Sequence, residues 1–318
     1  MPLSYRAVCA ASLMLFAGPI APAQDAPAVA APWPVTERAF PEGWVFTPGF
    51  SADGETAWLV AWADALNIFE PQRLYQLEHE AQGWGAPERL LVAPDALKDW
   101  PTPGDAPGTL FLTIATQTDF GRGRIDDFDL WRVDLTRPGL PRERLDGPDL
   151  NRAKTPETAT RGVAHNEFGA QLTEAGDLWF WSERAGAAGR RDIFIARANG
   201  EGGWGTPEEF VFNTPGRESH PWVSNDGRTV IFTSDRPGGY GRDDLWITRR
   251  GPDGRWGDPV NLGAGVNSAF NDEAARVRPG PETLFFASDR PIPGARRAQG
   301  FRVWTAPAGA WVDLGDAP

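Results

Sequence analysis

The sequence predicts an all-β fold, a β-propeller of four-stranded antiparallel blades, with five blades counted and six as the alternative. Three observations carry that expectation. A unit of about fifty residues recurs along the chain, and a lone four-stranded meander cannot bury both of its faces, so copies must pack on one another. Glycine (36) and proline (30) are abundant, as a chain made of many turns requires. Yet 18 Phe and 15 Trp supply more aromatic area than low-complexity disordered chains carry. Burying even ten such rings contributes on the order of 20 kcal/mol before entropy is counted.

At the N-terminus, Arg6 precedes an apolar run from Ala7 to Ile20, followed by Ala21-Pro22-Ala23. That is the pattern of a secretory signal peptide over residues 1–23, and the run is short for a membrane span. The one cysteine, Cys9, lies inside it, so the mature chain is expected to have no disulfide and no thiol chemistry. The expected location is the bacterial periplasm, with secretion as the alternative, and no membrane span in the mature chain. Residues 24–43 read as an Ala/Pro-rich tether. Within it, Trp33-Pro34-Val35-Thr36-Glu37-Arg38 resembles Trp84-Gly85-Ala86-Pro87-Glu88-Arg89, a fourth-strand segment. This stretch is a candidate to close the ring by joining the last blade; Trp311 to Leu314 competes for the same slot. Closure removes the free sheet edges that invite aggregation.

The propeller is expected over 44–318, with blades at about 44–95, 101–151, 164–214, 217–268 and 271–315. Its clearest copy runs from Glu218 to Ser268, where Asp226-Gly227 and Asp253-Gly254 supply the positive φ of tight hairpin turns. The runs between them predict strands at Ser219–Ser224, Thr229–Ser234, Leu245–Arg249 and Trp256–Leu262. Gly54, Gly108, Gly176, Gly227 and Gly280 mark the same turn in the five copies. An insertion around Asn151 to Val163 is too short for another blade.

The motif S-D-R-P-G-G-x-G-x-x-D-L-W with R-x-x-x-G-x-W-x-x-P-V-N-L-G, found from Ser234 onward, resembles the WD40-like repeat called PD40. That repeat forms the propeller of the periplasmic TolB proteins and of many exported bacterial proteins. The resemblance spans about Trp44 to Leu314, is strongest at Ser234 to Leu262, and implies a TolB-like propeller, six-bladed in TolB itself. It also implies a role as a protein- or peptide-binding scaffold in the bacterial envelope.

Several repeat positions carry polar side chains. Asp129, Asp192 and Asp244 stand just before the third strand, and Arg184, Arg236 and Arg290 just after the second. A carboxylate and a guanidinium facing each other across that hairpin would pair bidentately and staple the loop; Arg302 and Arg73 at the Asp position break the pattern in the fifth and first blades. Glu167, Glu218 and Glu273 stand where innermost strands begin, with His220 and Asn271 close by. The first strand of each blade lines the central channel, so these five residues form a candidate polar funnel for a cationic group, a metal ion or a basic peptide. The alternative is that each Glu accepts backbone N–H groups from the neighbouring blade. The regularly placed tryptophans Trp84, Trp204, Trp256 and Trp311 read as fillers of the gaps between blades rather than as sugar-stacking surfaces.

A net charge of −12 repels phosphate, so no nucleic-acid partner is expected. His79, His165 and His220 share no zinc-ligand spacing. No G-x-S-x-G elbow, P-loop or dinucleotide fingerprint occurs, and no cofactor is expected. The leading expectation is a monomeric, exported, non-catalytic propeller presenting one face to a protein or peptide. The alternative is a five-bladed-propeller glycoside hydrolase, or a carbohydrate- or metal-binding module, using acids at the central funnel. Hydrolysis needs two carboxyl groups in different environments, whereas acids at equivalent repeat positions predict similar ones.

Overall fold

The computed structural model describes residues 30–41, 43–62, 72–93, 96–119, 124–137, 139–161, 165–184, 187–292 and 300–312; the expected signal peptide lies outside them. The strands form five antiparallel sheets arranged as a five-bladed propeller. The second blade pairs Lys98–Pro103, Thr109–Asp119, Arg124–Asp134 and Arg142–Arg144 in that order, from the axis outwards. The third is Glu167–Leu172, Leu178–Ser182, Asp192–Ala196 and Glu208–Glu209. The fourth is Glu218–Val223, Thr229–Ser234, Asp244–Arg249 and Val260–Asn261. In the first blade, Gly49–Phe50, Thr56–Ala61 and Arg73–Glu80 are followed by an outer strand broken into Gly83–Trp84 and Glu88–Leu90. The insertion before the third blade holds a short helix, Pro156–Arg161. Among the described residues no helix is long and apolar enough to cross a membrane.

The second strand of each blade is buried on both faces, because successive side chains point to opposite neighbours. Leu110, Leu112 and Ile114 pack on Trp58 and Val60 of the first blade, whereas Phe111 turns to Leu178 and Phe180 of the third. Trp179 and Trp181 then meet Val230 and Phe232, and Ile231 meets Leu284 and Phe286. Phe285 completes the circle against Phe50, Ala57 and Leu59 of the first blade. Five apolar clusters therefore fill five interfaces between five blades.

The fifth blade is closed from the N-terminus. Asp272–Arg278, Thr283–Ser288 and Arg302–Ala306 are joined by Ala31–Pro32, which pairs with Thr305 and Trp304. The closing pairing thus ends just before the stretch beginning at Trp33, and Pro34–Ala39 is a helix rather than a strand. Pro34 at its first turn explains the difference, since its fixed φ suits a helix start and it has no N–H to give a sheet. Trp33 packs edge-on against Phe285 (5.2 Å) and Trp84 (6.0 Å). Trp311 ends a 3₁₀ turn, Ala308–Ala310, and is buried near Trp222; Leu314 lies outside the described residues. Arg302 locks the seam. Its Nε donates to Glu37 (2.9 Å), its Nη1 to the carbonyls of Phe40 and Gly43 (2.5 and 2.6 Å), and its Nη2 to that of Thr36 (3.1 Å).

Candidate functional site at the propeller axis

The Ser-x-Arg motifs do not face the channel; they tie neighbouring blades together. Arg236 lies over Phe232 (4.8 Å) and Trp246 (5.4 Å). It donates to Ser234 Oγ (3.0 Å), to Glu218 (3.3 Å) and to the Phe212 carbonyl of the preceding blade (2.8 Å). Arg184 repeats this with Phe180, Phe194, Ser182, Glu167 and the Leu150 carbonyl. Arg290 does so with Phe286, Trp304, Ser288, Asp272 and the Val266 carbonyl. The partners are therefore not the aspartates across the hairpin. Asp192 and Asp244 instead accept loop N–H groups, from Gly189 (2.8 Å) and from Tyr240 and Gly241 (2.5 and 3.2 Å), while Asp129 pairs with Arg144 at 2.8 Å. Geometry decides this: the arginine leaves the end of the second strand towards the inner strand, and the aspartate, opposite Ser182 or Ser234 in register, sits under its own loop.

The expected funnel does not form as one cluster. Glu167 and Glu218 are fully buried and held by these arginines, with backbone N–H groups of Arg152 (3.1 Å) and Thr214 (2.7 Å) completing their shells. The fifth-blade equivalent is Asp272, opposite Ser288 as Glu167 is opposite Ser182 and Glu218 opposite Ser234. Glu273 is one residue further on, and in a strand that one step moves a side chain to the other face. Asn271 is taken up by Asp289, through its N–H and Nδ2 (both 2.8 Å). Of the five funnel residues, His220 and Glu273 come together, with 3.6 Å between Nδ1 and Oε2.

The position of Glu273 does line the axis. Its counterparts are Asp99, Phe168 and Ser219, and each is followed by a register shift in the inner strand. The residue after each has positive φ: Trp100 (48°), Gly169 (66°), His220 (51°) and Ala274 (58°). Only glycine adopts this freely, and such bulges re-aim side chains. Here they turn Trp100 and His220 into the centre. Trp100 of the second blade reaches His220 of the fourth, a blade that is not its neighbour, at 5.0 Å between ring centroids. It also meets Phe46 (5.7 Å), Phe168 (5.6 Å) and Trp181 (5.7 Å). The axis is therefore closed at this level by aromatic side chains from four blades. Hydrogen bonds from the preceding blade hold two bulges: Gly169 N–H donates to Thr113 Oγ1 (3.0 Å) and Ala274 N–H to Thr233 Oγ1 (3.1 Å).

Two carboxyl groups stand beside this aromatic cluster, both buried but with different charged neighbours. Asp99 is only 4% exposed; burial pushes it up to about 8 against the N–H of Trp100 and the charge of Lys98. Burial likewise pushes Glu273 up to about 8, with Asp243 and Asp289 adding repulsion and Arg191 and Arg217 opposing it. His220 is held well below its ordinary range by burial, then by Arg191 and Arg276, so it is neutral. Its Nδ1 meets both Ser219 Oγ (3.0 Å) and Glu273; one nitrogen serving both partners cannot relay a proton as a nucleophile triad does. Arg276 is buried on the inner strand of the fifth blade, donating to the carbonyls of Pro221 (3.2 Å) and Ala275 (2.7 Å); burial lowers it to about 10. Among the described residues no group of three His, Asp or Glu side chains converges as a metal site.

No family model matches the sequence, and no curated protein matches it either. Solved structures match the fold. A complex of BT0996 with RGII superposes with a TM-score of 0.54 at 10% identity, covering 83% of this protein and 87% of that one. A glycoside hydrolase gives 0.53 at 9%, with the same coverage. The endo-arabinase of Bacteroides thetaiotaomicron VPI-5482 gives 0.51 at 15%, covering 90% of this protein and 99% of that one. At such identities the likeness is one of fold.

Proposed function

We propose that the axial mouth is a carbohydrate site and that the protein is a glycoside hydrolase, with Asp99 and Glu273 as its two carboxyl groups. One observation carries the reading: at a single inner-strand position, the second and fifth blades place carboxyl groups beside the axial aromatic rings, both raised by burial but with different charged neighbours, Lys98 for one and Asp243, Asp289, Arg191 and Arg217 for the other. Hydrolysis needs one group to protonate the leaving oxygen and another to attack the sugar or activate water. Asp99, shielded from water, suits the proton donor. Glu273, facing Arg191 and Arg217, has the cations that would favour its anion once substrate is bound. Trp100, half-buried beside the axis, keeps some exposed indole surface on which a sugar ring can stack, whereas Trp181 is buried against Phe168 and Arg191. Sharing a fold with a glycoside hydrolase and an endo-arabinase is in keeping with this.

The test is release of sugar from a panel of aryl glycosides and oligosaccharides by the wild-type protein, Asp99→Asn and Glu273→Gln, with binding measured in parallel. Loss of a positioned acid or base costs on the order of 10²- to 10⁴-fold in kcat, with saccharide binding retained. Turnover unchanged in both variants would overturn the assignment.

A second reading, the exported TolB-like scaffold implied by the PD40 resemblance, is favoured by the closure of the axis: a propeller that recognises a peptide through its face loops needs no open centre. A protein that binds no saccharide in that panel would fit this reading and not the first.

A further inference from the structure

The first blade departs from the others on the face where the inner strands begin. Val45 bridges Ala61, at the end of the second strand, and Ala61 pairs with Arg73, at the start of the third. Arg73 thus occupies the repeat position of Asp192 and Asp244, which are consumed in capping their own loops. In the fifth blade the same position holds Arg302, consumed in binding the N-terminal helix. Among the described residues the Arg73 side chain has no such task. It is half-buried, and among the described residues its guanidinium makes no hydrogen bond, ion pair or ring contact. It lines a cavity of about 570 Å³ together with Phe40, Trp62, Tyr75 and Pro87. Two ring-to-ring steps connect this cavity to the axis: Trp62 to Phe46 (5.3 Å) and Phe46 to Trp100 (5.7 Å).

An unpaired guanidinium is a fork of donors matched to a carboxylate, and a mostly apolar pocket with one such group fixes a ligand's orientation as well as its charge. In a chain of net charge −12, such a cation is a local exception that would decide between an anionic and a neutral ligand. We propose that this cavity is a carboxylate-binding subsite for an acidic sugar, a uronic acid residue of the saccharide engaged at the axis. The assignment rests on the carbohydrate reading above, but it has its own test.

Calorimetric titration with a galacturonic acid oligomer and with the matching neutral galactose oligomer, on wild type, Arg73→Gln and Arg73→Lys, reads it directly. The expected result is preference for the acidic oligomer, lost by tenfold or more in Arg73→Gln, partly kept in Arg73→Lys, with affinity for the neutral oligomer unchanged. Sodium acetate as competitor separates a general carboxylate site, which it would block, from one that requires the sugar ring. Equal affinity for both oligomers, or an acidic preference that survives Arg73→Gln, overturns the proposal even if hydrolysis at the axis is demonstrated. Conversely, Arg73-dependent binding that persists alongside unaltered turnover in Asp99→Asn and Glu273→Gln would retain the subsite and remove the axial assignment. Thermal melting of each variant shows that it is folded, and Tyr75→Ala, which removes a cavity wall without touching the charge, supplies an independent arm expected to weaken the acidic oligomer.

Discussion

Trp100 and His220 meet across the centre of the propeller, their rings 5.0 Å apart and tilted by 36°. Both stand at positive φ on inner strands. For a residue with a Cβ that conformation costs roughly 1–2 kcal/mol, so the surrounding packing must hold the two rings in place. Asp99 lies next to this contact: its backbone neighbour is Trp100 itself, and its Oδ1 accepts the Trp100 N–H at 2.9 Å.

Trp100→Gly should uncouple these effects. Glycine relieves the backbone strain, while loss of the ring costs about 3–5 kcal/mol as for other large-to-small core changes. With water admitted, Asp99 should titrate well below the value of about 8 that burial gives it, moving towards an ordinary aspartate. Carbon-detected NMR titration of the carboxyl group in both proteins measures the shift. An unchanged midpoint would mean that other groups exclude water from Asp99.

Stability should fall as pH rises. Asp99 and Glu273 both have folded-state values raised to about 8, above those of the unfolded chain. The native state therefore holds protons that the unfolded state releases, and the stability contributed by each group is full below pH ~4 and lost as pH passes ~8. Urea unfolding at pH 5 and pH 8 should show a loss of at least ~1 kcal/mol. Asp99→Asn, which cannot ionise, should reduce that slope.

The Arg236–Glu218 staple should be worth far more to break than to replace. Arg236→Ala leaves the fully buried Glu218 without its cation, and breaking such pairs costs about 3–5 kcal/mol. Glu218→Gln in the same background should recover part of that loss, because it removes the orphaned charge. A double-mutant cycle in chemical denaturation measures the coupling; additive losses would show that stacking on Phe232 and Trp246, not the ion pair, is what matters.

Arg302→Ala should open the seam between the first and fifth blades. Hydrogen exchange should then quicken at Ala31 and in Arg302–Ala306 before it does in the fourth blade, with a drop in melting temperature of several degrees. Uniform exchange across all blades would mean that the ring opens only as a whole.

The repeat made the fold legible. Turn glycines recur in register, and aromatic second strands alternate between two neighbouring blades, so five sheets closing into a ring follow from the pattern. The side-chain partners were harder to read. Aligning Glu273 with Glu167 and Glu218 is a one-residue slip, invisible in sequence because Asp272 is also acidic, and it moves the group from an interface to the axis. Arg184, Arg236 and Arg290 stand out by recurrence, but recurrence does not tell which of two acids each will reach. Asp99 and Trp100 had no readable signal: the inner strand of the second blade, Lys98–Pro103, contains Pro101 and Pro103, and prolines argue against a central strand. Their significance comes from Phe46, Phe168, Trp181 and His220, which only closure of the ring brings to them. The side-chain amides of Asn151, Asn213 and Asn267, which pair with the backbone of Leu130, Ile193 and Leu245 as an extra strand would, could have been found from their recurrence at blade ends.

The seam at Arg302 also sets the order in which this molecule can become whole. The bond from Arg302 to the Thr36 carbonyl spans 266 residues, the kind of distant contact that forms late because the intervening segment must first be brought back on itself. Until the final hairpin has been made, the opening segment around Ala31–Pro32 has no partner, and the fifth sheet is left with an unmatched edge. The disc is thus completed by joining Ala31–Pro32 to Arg302–Ala306, and a nascent copy remains an open crescent, exposed to edge-to-edge pairing, until that last clasp shuts.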